Sequence, residues 1–346
     1  MLEQILIGVT LVAFLAAAVL LAVGLAYRRR MAERVSHYVL AVGFVTLTGA
    51  IGARWIDGGR PPLSDLYETL VFLSWCTALL FILSERFYHV TAAGLILVPL
   101  SFFLLAVAAV IYQGPQPLID ELQSFWLTIH VGVSLLGYAA FALAFATGFF
   151  YVIQEDLIKK RYQQVRQLIL GLVIALGTGL GAYVGYLIAH PLLFEDASGH
   201  RVYAYSRADW TIIVIGALVG FVGSLLLGWA AARGASRPSF ANRLPALSLL
   251  DRLSFRSVVL GLGLLALSII TGSLWARKAW GQWWVWDPKE TWSVIAFAFY
   301  AGYIGLREWA NWRGRHSAML AIAGLFLILF TFLGVKLLVP GQHDFN

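Results

Sequence analysis

Residues 5–27 read ILIGVTLVAFLAAAVLLAVGLAY, a run without one charged side chain. An α-helix climbs 1.5 Å per residue, so about 20 apolar residues carry a chain across a 30 Å hydrocarbon core. Residues 258–275 and 319–335 repeat the pattern. Of the 346 residues, 60% are hydrophobic and only 12% charged, with a mean hydropathy of +0.79. A soluble chain of this length needs far more polar surface. The fold class expected is therefore all-α: a polytopic transmembrane bundle, with residues 1–346 as a single membrane domain. The first run exceeds the apolar stretch of a signal peptide, no positive charge precedes it, and Arg28, Arg29 and Arg30 follow it. It reads as a retained helix whose C-terminal end faces the cytoplasm.

Apolar blocks predict about ten transmembrane helices, near 3–27, 35–56, 66–84, 90–112, 127–154, 167–189, 210–231, 255–276, 291–308 and 317–338. With the first connection inside, the inner loops and helix ends gather about seventeen of the 25 Lys and Arg, concentrated at 28–34, 159–166, 233–256 and 307–315. Both termini then lie outside. The extracytoplasmic loops are 57–68, 113–126, 190–209 and 277–291, with a short surface helix expected at 117–124. An amphipathic piece at 247–255 is expected to lie along the inner surface.

The net charge of +7 caps helices and meets anionic lipid heads. No basic patch is interleaved with aromatics, so no nucleic-acid partner is expected. Cys76 is the only cysteine and sits inside a predicted helix beside Trp75. That excludes dithiol redox chemistry, an iron–sulfur cluster and a Cys-x-x-Cys-His attachment within the chain itself. No predicted helix centre carries the buried acid or broken-helix pair that ion-coupled transport tends to need.

Six of the 13 tryptophans, Trp275, Trp280, Trp283, Trp284, Trp286 and Trp292, fall in the stretch WARKAWGQWWVWDPKETW. Interfacial preference explains one or two indoles per helix end, not four within 280–286. Gly281 permits a tight backbone, and Pro288 turns the residue before it away from helix. The expectation is an aromatic shelf, Trp280, Gly281, Trp283, Trp284, Trp286 and Asp287, wide enough for a flat macrocycle such as heme. Heme iron takes neutral imidazole as its usual axial ligand. Topology puts His130, His190, His200 and His343 on the outer side. His130 lies about one turn into its helix and His343 a few residues past the last one. Both reach the height of the shelf, and together they form the candidate metal site for the iron. His190 and His200 read as solvated loop residues; His37, His89 and His316 read as ordinary inner helix-end residues.

The stretch WGQWWVWDPKE, 280–290, resembles the tryptophan-rich WWD signature of the heme-handling membrane proteins of cytochrome c maturation, closest to the CcsA/ResC component of the two-part (System II) cytochrome c synthetase. PPLSDLYETLVFLSW at 61–75, IHVGVSLLGYAAF at 129–141, LDRLSFR at 250–256, ITGSLWA at 270–276 and FLGVKLL at 332–338 add to the likeness. The resemblance implies two outer histidines, here His130 and His343, as axial ligands to non-covalently held heme b. The ring's vinyl groups stay open to the Cys-x-x-Cys-His segment of apocytochrome c. It implies partners: a CcsB/ResB-like membrane subunit, the apocytochrome, and a thiol-reducing protein that keeps the apocytochrome reduced. It implies heme transport and heme lyase activity as part of a complex in the bacterial cell membrane, with the heme site extracytoplasmic. Arg277 and Lys278 read either as propionate partners or as helix-end anchors. Asp287 would bond an indole N–H, a backbone amide or a neighbouring cation, and Lys289 and Glu290 would pair with each other.

The chain departs from that family in two ways. Where members commonly carry a histidine inside the helix after the tryptophan-rich segment, the matching position is about Gly305, and 293–306 holds no histidine. Residues 167–231 also look like an inserted transmembrane hairpin. Relatives with the same segment that regulate heme synthesis or only export heme supply the alternative function, heme binding without ligation.

Overall fold

The computed structural model describes residues 1–112, 114–115, 122–189, 194–195, 201–202 and 238–334. It divides into two compact units, 1–155 with 244–346, and 156–243. In the first unit run α1 (Leu2–Tyr27), α2 (Arg30–Gly58), α3 (Leu66–Tyr88), α4 (Gly94–Val110) and most of α5 (Phe125–Ile158). The second unit holds α6 (Tyr162–Ala189), an antiparallel pair of two-residue strands, β1 (Phe194–Glu195) and β2 (Arg201–Val202), and a single helical turn at Pro238–Ala241. The first unit resumes with α7 (Leu247–Trp280), α8 (Pro288–Trp309) and α9 (Arg315–Leu329), which widens into a π-turn at Phe330–Gly334.

Among the described residues, seven helices (α1–α5, α7 and α9) are long and apolar enough to cross a bilayer. At 28 and 22 residues, α6 and α8 have the length as well. The expected helix at 210–231 lies outside the described residues, as do half of the 113–126 loop with most of its expected surface helix at 117–124, most of the 190–209 loop, His190, His200 and His343. The polytopic all-helical class holds; the count of ten goes beyond what is described.

Two boundaries differ from expectation for local reasons. The piece at 247–255 does not lie apart on a surface but is the first quarter of α7. After Pro245 nothing interrupts the helix before Gly281, and Leu250, Leu253 and Ser254 are buried. At 34 residues α7 is about 50 Å long and outreaches the hydrocarbon core. The 277–291 loop shrinks to 281–287, because α7 runs on to Trp280 and α8 starts at Pro288.

The pairs α1–α2, α2–α3, α3–α4, α5–α7, α7–α8 and α8–α9 run antiparallel, and small residues set their spacing. Without a hydrophobic drive between helices in lipid, close packing and cross-helix hydrogen bonds hold them together. On α5 and α7 the paired positions keep a constant register. Ser254 Oγ donates to the Ala144 carbonyl (3.1 Å), Gly261 leaves room for the Phe141 ring, Gly137 faces Leu264, and Ser134 meets Ser268. Gly324 of α9 admits Tyr300 of α8, and Phe141 stacks on Tyr300 at 3.8 Å, so α5, α7, α8 and α9 share one buried cluster. On α1 and α2, Thr10 and Thr46 join across the pair at 2.8 Å.

Side-chain ion pairs lock both ends of this unit. At one end Arg307 grips Asp251 with two bonds (2.8 and 2.6 Å), reaches Ser317 (2.9 Å), and Ser317 donates to Tyr303 (2.7 Å). That accounts for the LDRLSFR stretch: Asp251 ties α7 to α8 and, through the Gly314 amide, to the start of α9. At the other end Arg54, 2% exposed, sits among Glu3, Asp65 and Glu68.

Candidate functional site

The antiparallel register puts one set of termini at a common end: the start of α5, the exit of α7, the start of α8 and the exit of α9. His130 lies in the second turn of α5, opposite Ser268 and Gly272 near the end of α7. Its Nδ1 is 2.8 Å from the Ser268 carbonyl oxygen. A carbonyl only accepts, so Nδ1 carries the proton, and a neutral ring then keeps its lone pair on Nε2, the nitrogen able to bind a metal. The His130 ring lies nearly parallel to Trp275, 17° apart with centroids at 6.3 Å. Trp275 in turn touches Trp280 at 4.9 Å.

The chain then leaves helix for seven residues. Gly281 takes φ 76° and its amide closes onto the Arg277 carbonyl, a left-handed cap that glycine adopts without a Cβ penalty. The Arg277 guanidinium bonds the Gly281 carbonyl and lies 5.9 Å over the Trp283 ring. Trp284 and Trp286 meet edge to face at 5.8 Å, with Trp286 at φ 55°. Asp287 ends the excursion as the N-cap of α8: it accepts from the Lys289 amide (2.9 Å), while Glu290 accepts from the Val285 and Asp287 amides (3.0 and 3.2 Å). The D-P-x-E stretch is thus a capping box with proline at its first turn.

These bonds bear on the roles left open. Asp287 bonds a backbone amide rather than only an indole. Glu290 holds the tryptophan loop to the helix. The Arg277 guanidinium bonds a carbonyl at its own helix end, and its five-donor fork leaves it able to meet a carboxylate as well. Lys278 is exposed at the same turn. Trp283 and Trp286 are 56% and 70% exposed, an open aromatic surface, whereas Trp275 is 2% exposed and belongs to the wall behind His130. The buried Trp284 Nε1 has no hydrogen-bond partner among the described residues.

The structure therefore brings His130, Trp275 and Trp280 together, and sets Trp283, Trp284 and Trp286 on the loop that follows. His343 lies outside the described residues. The donor set present fits heme: one imidazole whose tautomer places its lone pair on Nε2, beside indoles of matching flatness. No cluster of three or more His, Cys, Asp or Glu suited to a bare metal ion occurs among the described residues.

Three contributions escaped the sequence reading. Ser268, Gly272 and Trp275 lie at i, i+4 and i+7, one face of α7, and that spacing was the available signal. The buried charge cluster is the second: Arg54 Nε donates to Glu68 (3.0 Å), Arg60 donates to Glu68 (2.9 Å), and Tyr67 donates to Glu3 (2.7 Å). It fixes the 59–65 connection, whose Leu63 packs near Gly132, two residues from His130. Burial and the neighbouring Glu68 carboxylate push the Asp65 carboxyl above its ordinary value. The third is Trp309, whose ring an added Cβ at Gly305 would meet at 3.3 Å.

The model of a family described as cytochrome C assembly protein matches residues 63–343. Among relatives, the cytochrome c biogenesis protein CcsA of Rippkaea orientalis is 31% identical over 316 residues, covering 89% of this chain and 86% of that protein. CcsA of Synechocystis is 30% identical over 316 residues, and CcsA of Picosynechococcus 31% over 313, with the same shares covered. With one family model running through both the His130 helix and the tryptophan loop, this chain belongs to the cytochrome c assembly protein family, as a member of its CcsA group.

Proposed function

We propose that the chain presents heme b at the extracytoplasmic membrane face for attachment to apocytochrome c, within the cytochrome c biogenesis to which its family membership assigns it. The observation that carries this reading is the seating of His130: Nδ1 held by the Ser268 carbonyl, the ring backed by Trp275, which in turn touches Trp280 at the edge of the tryptophan loop. His130 and His343 would hold the iron from either side. Trp280, Trp283, Trp284 and Trp286 would orient the macrocycle, with Arg277 and Lys278 at the height of its propionates.

The chemistry asked of the site is modest. Each cysteine thiol of the apocytochrome adds across a vinyl group: sulfur bonds to the carbon next to the ring, and the proton goes to the terminal carbon. No electron is gained or lost, so positioning is the main contribution the protein makes. Cys76, buried in α3, takes no part; the thiols come from the substrate. The partners of this reading are the apocytochrome, a thiol-reducing protein that keeps its cysteines reduced, and a CcsB/ResB-like membrane subunit. Residues 167–231, in the second unit, are proposed as an inserted hairpin available to a partner.

The alternative, heme export or regulation without ligation, draws on Gly305, where the family commonly carries a histidine. Co-expression with the partner subunit and a reporter apocytochrome separates the two. Ligation predicts heme that stays with the reporter on a denaturing gel and disappears with His130→Ala. Heme bound to this chain, with no covalent heme on a reduced reporter, would favour the alternative.

A further inference from the structure

We propose that Ser268 and Gly272 of α7 are positioning residues for His130, selecting its tautomer and setting how strongly it donates to iron; this rests on His130 being a heme ligand.

Counting protons in the hydroxyl chain gives the first reason. Ser134 Oγ donates to the His130 carbonyl at 2.6 Å, which uses its only proton. Ser134 and Ser268 are in short contact, so the proton between them belongs to Ser268. Ser268 Oγ, 3.2 Å from His130 Nδ1, then has only lone pairs to offer that nitrogen. The Ser268 carbonyl, 2.8 Å away, also has only lone pairs. Two acceptors facing Nδ1 are compatible with a proton there and with nothing else. The ring of a neutral His130 is thereby held with Nε2 basic, and a carbonyl partner on the far nitrogen of a metal-bound imidazole raises its donor strength.

Gly272 gives the second reason. A Cβ there would lie 2.8 Å from Nδ1 and 2.9 Å from Cε1 of His130, closer than carbon atoms approach. The missing side chain is the notch that lets the ring reach the Ser268 carbonyl, with Trp275 as the parallel face. Gly263, on the same helix, has nothing within 4 Å of an added Cβ.

The test compares Gly272→Ala with Gly263→Ala, each in the wild-type and His130→Ala backgrounds, measuring heme affinity and the reduction potential of bound heme. Gly272→Ala should weaken heme retention about 10- to 100-fold, the usual effect of disturbing a ligand's orienting partner, and move the potential upward. Gly263→Ala should match wild type. In the His130→Ala background Gly272→Ala should add nothing, because its effect runs through the ring. Wild-type affinity and potential in Gly272→Ala, or an equal further loss without His130, would overturn the proposal. A His130→Ala protein that keeps the wild-type spectrum would instead overturn the ligand assignment. A second measurement needs no heme: nitrogen-15 spectra of the heme-free full chain should show His130 with its proton on Nδ1. A proton on Nε2 would refute the selection.

Discussion

Replacing Arg54 by alanine tests the architecture at the site's end of the bundle. The guanidinium is 2% exposed and lies 3.0, 3.3 and 3.7 Å from Glu68, Asp65 and Glu3, with the Tyr67 ring at 4.9 Å. Its loss leaves three carboxylates around a cavity, with Arg60 on Glu68 alone among the cluster's pairs described above. Breaking a buried ion pair by removing one partner costs about 3–5 kcal/mol. At about 2–4 °C per kcal/mol in chains of 150–250 residues, and less in a longer one, the unfolding midpoint should fall by about 5–10 °C. The sign of the pH dependence follows from Asp65. Its folded pKa is raised, so folding favours the protonated carboxyl, and the associated stability is present at low pH and lost as pH rises through the folded value. Arg54 opposes that rise, so removing it raises the folded pKa further and widens the window. The deficit of Arg54→Ala should therefore be larger at pH 7 than at pH 5. Thermal unfolding in detergent at the two pH values measures it, with Arg54→Lys falling between the two, because a point charge cannot match the fork. An equal deficit at both pH values, or one under about 1 kcal/mol, would refute the reasoning.

Two further outcomes follow from the packing. Gly324→Ala places a methyl 2.5 Å from the Tyr300 hydroxyl and should destabilise by about 1–3 kcal/mol, whereas Gly263→Ala meets open space and should be neutral or stabilising by up to about 1 kcal/mol; parallel melting curves decide. Asp287→Ala removes one arm of the capping box and should cost about 1 kcal/mol, while raising protease cleavage within 281–287 more than elsewhere, read by mass spectrometry of limited digests.

The helices were legible because hydrophobic length is a one-dimensional property. Nine of the ten expected spans coincide with described helices, within a few residues at most ends. The end of α7 was misplaced because two tryptophans before Gly281 look like loop as readily as helix until the cap geometry is seen. The start of α7 was misplaced because Leu250 and Leu253 make an amphipathic pattern that fits a membrane surface as well as a helix-to-helix seam. The tryptophan cluster and His130 stood out by density and by topology. Which indoles face outward did not: Trp275 and Trp283 are alike in sequence and opposite in exposure. The charge cluster was hidden for another reason. Glu3, Arg54 and Glu68 lie on three helices, and only the antiparallel pairing of α1, α2 and α3 brings them within bonding distance.

The account rests on His130 as a ligand to heme iron. The most direct measurement is the absorption spectrum of the purified full-length chain, with its partner subunit, as wild type and as His130→Ala. A sharp low-spin reduced spectrum in the wild type, lost or converted to high spin in the variant, is the predicted result. A wild-type spectrum in a well-folded His130→Ala protein would contradict it.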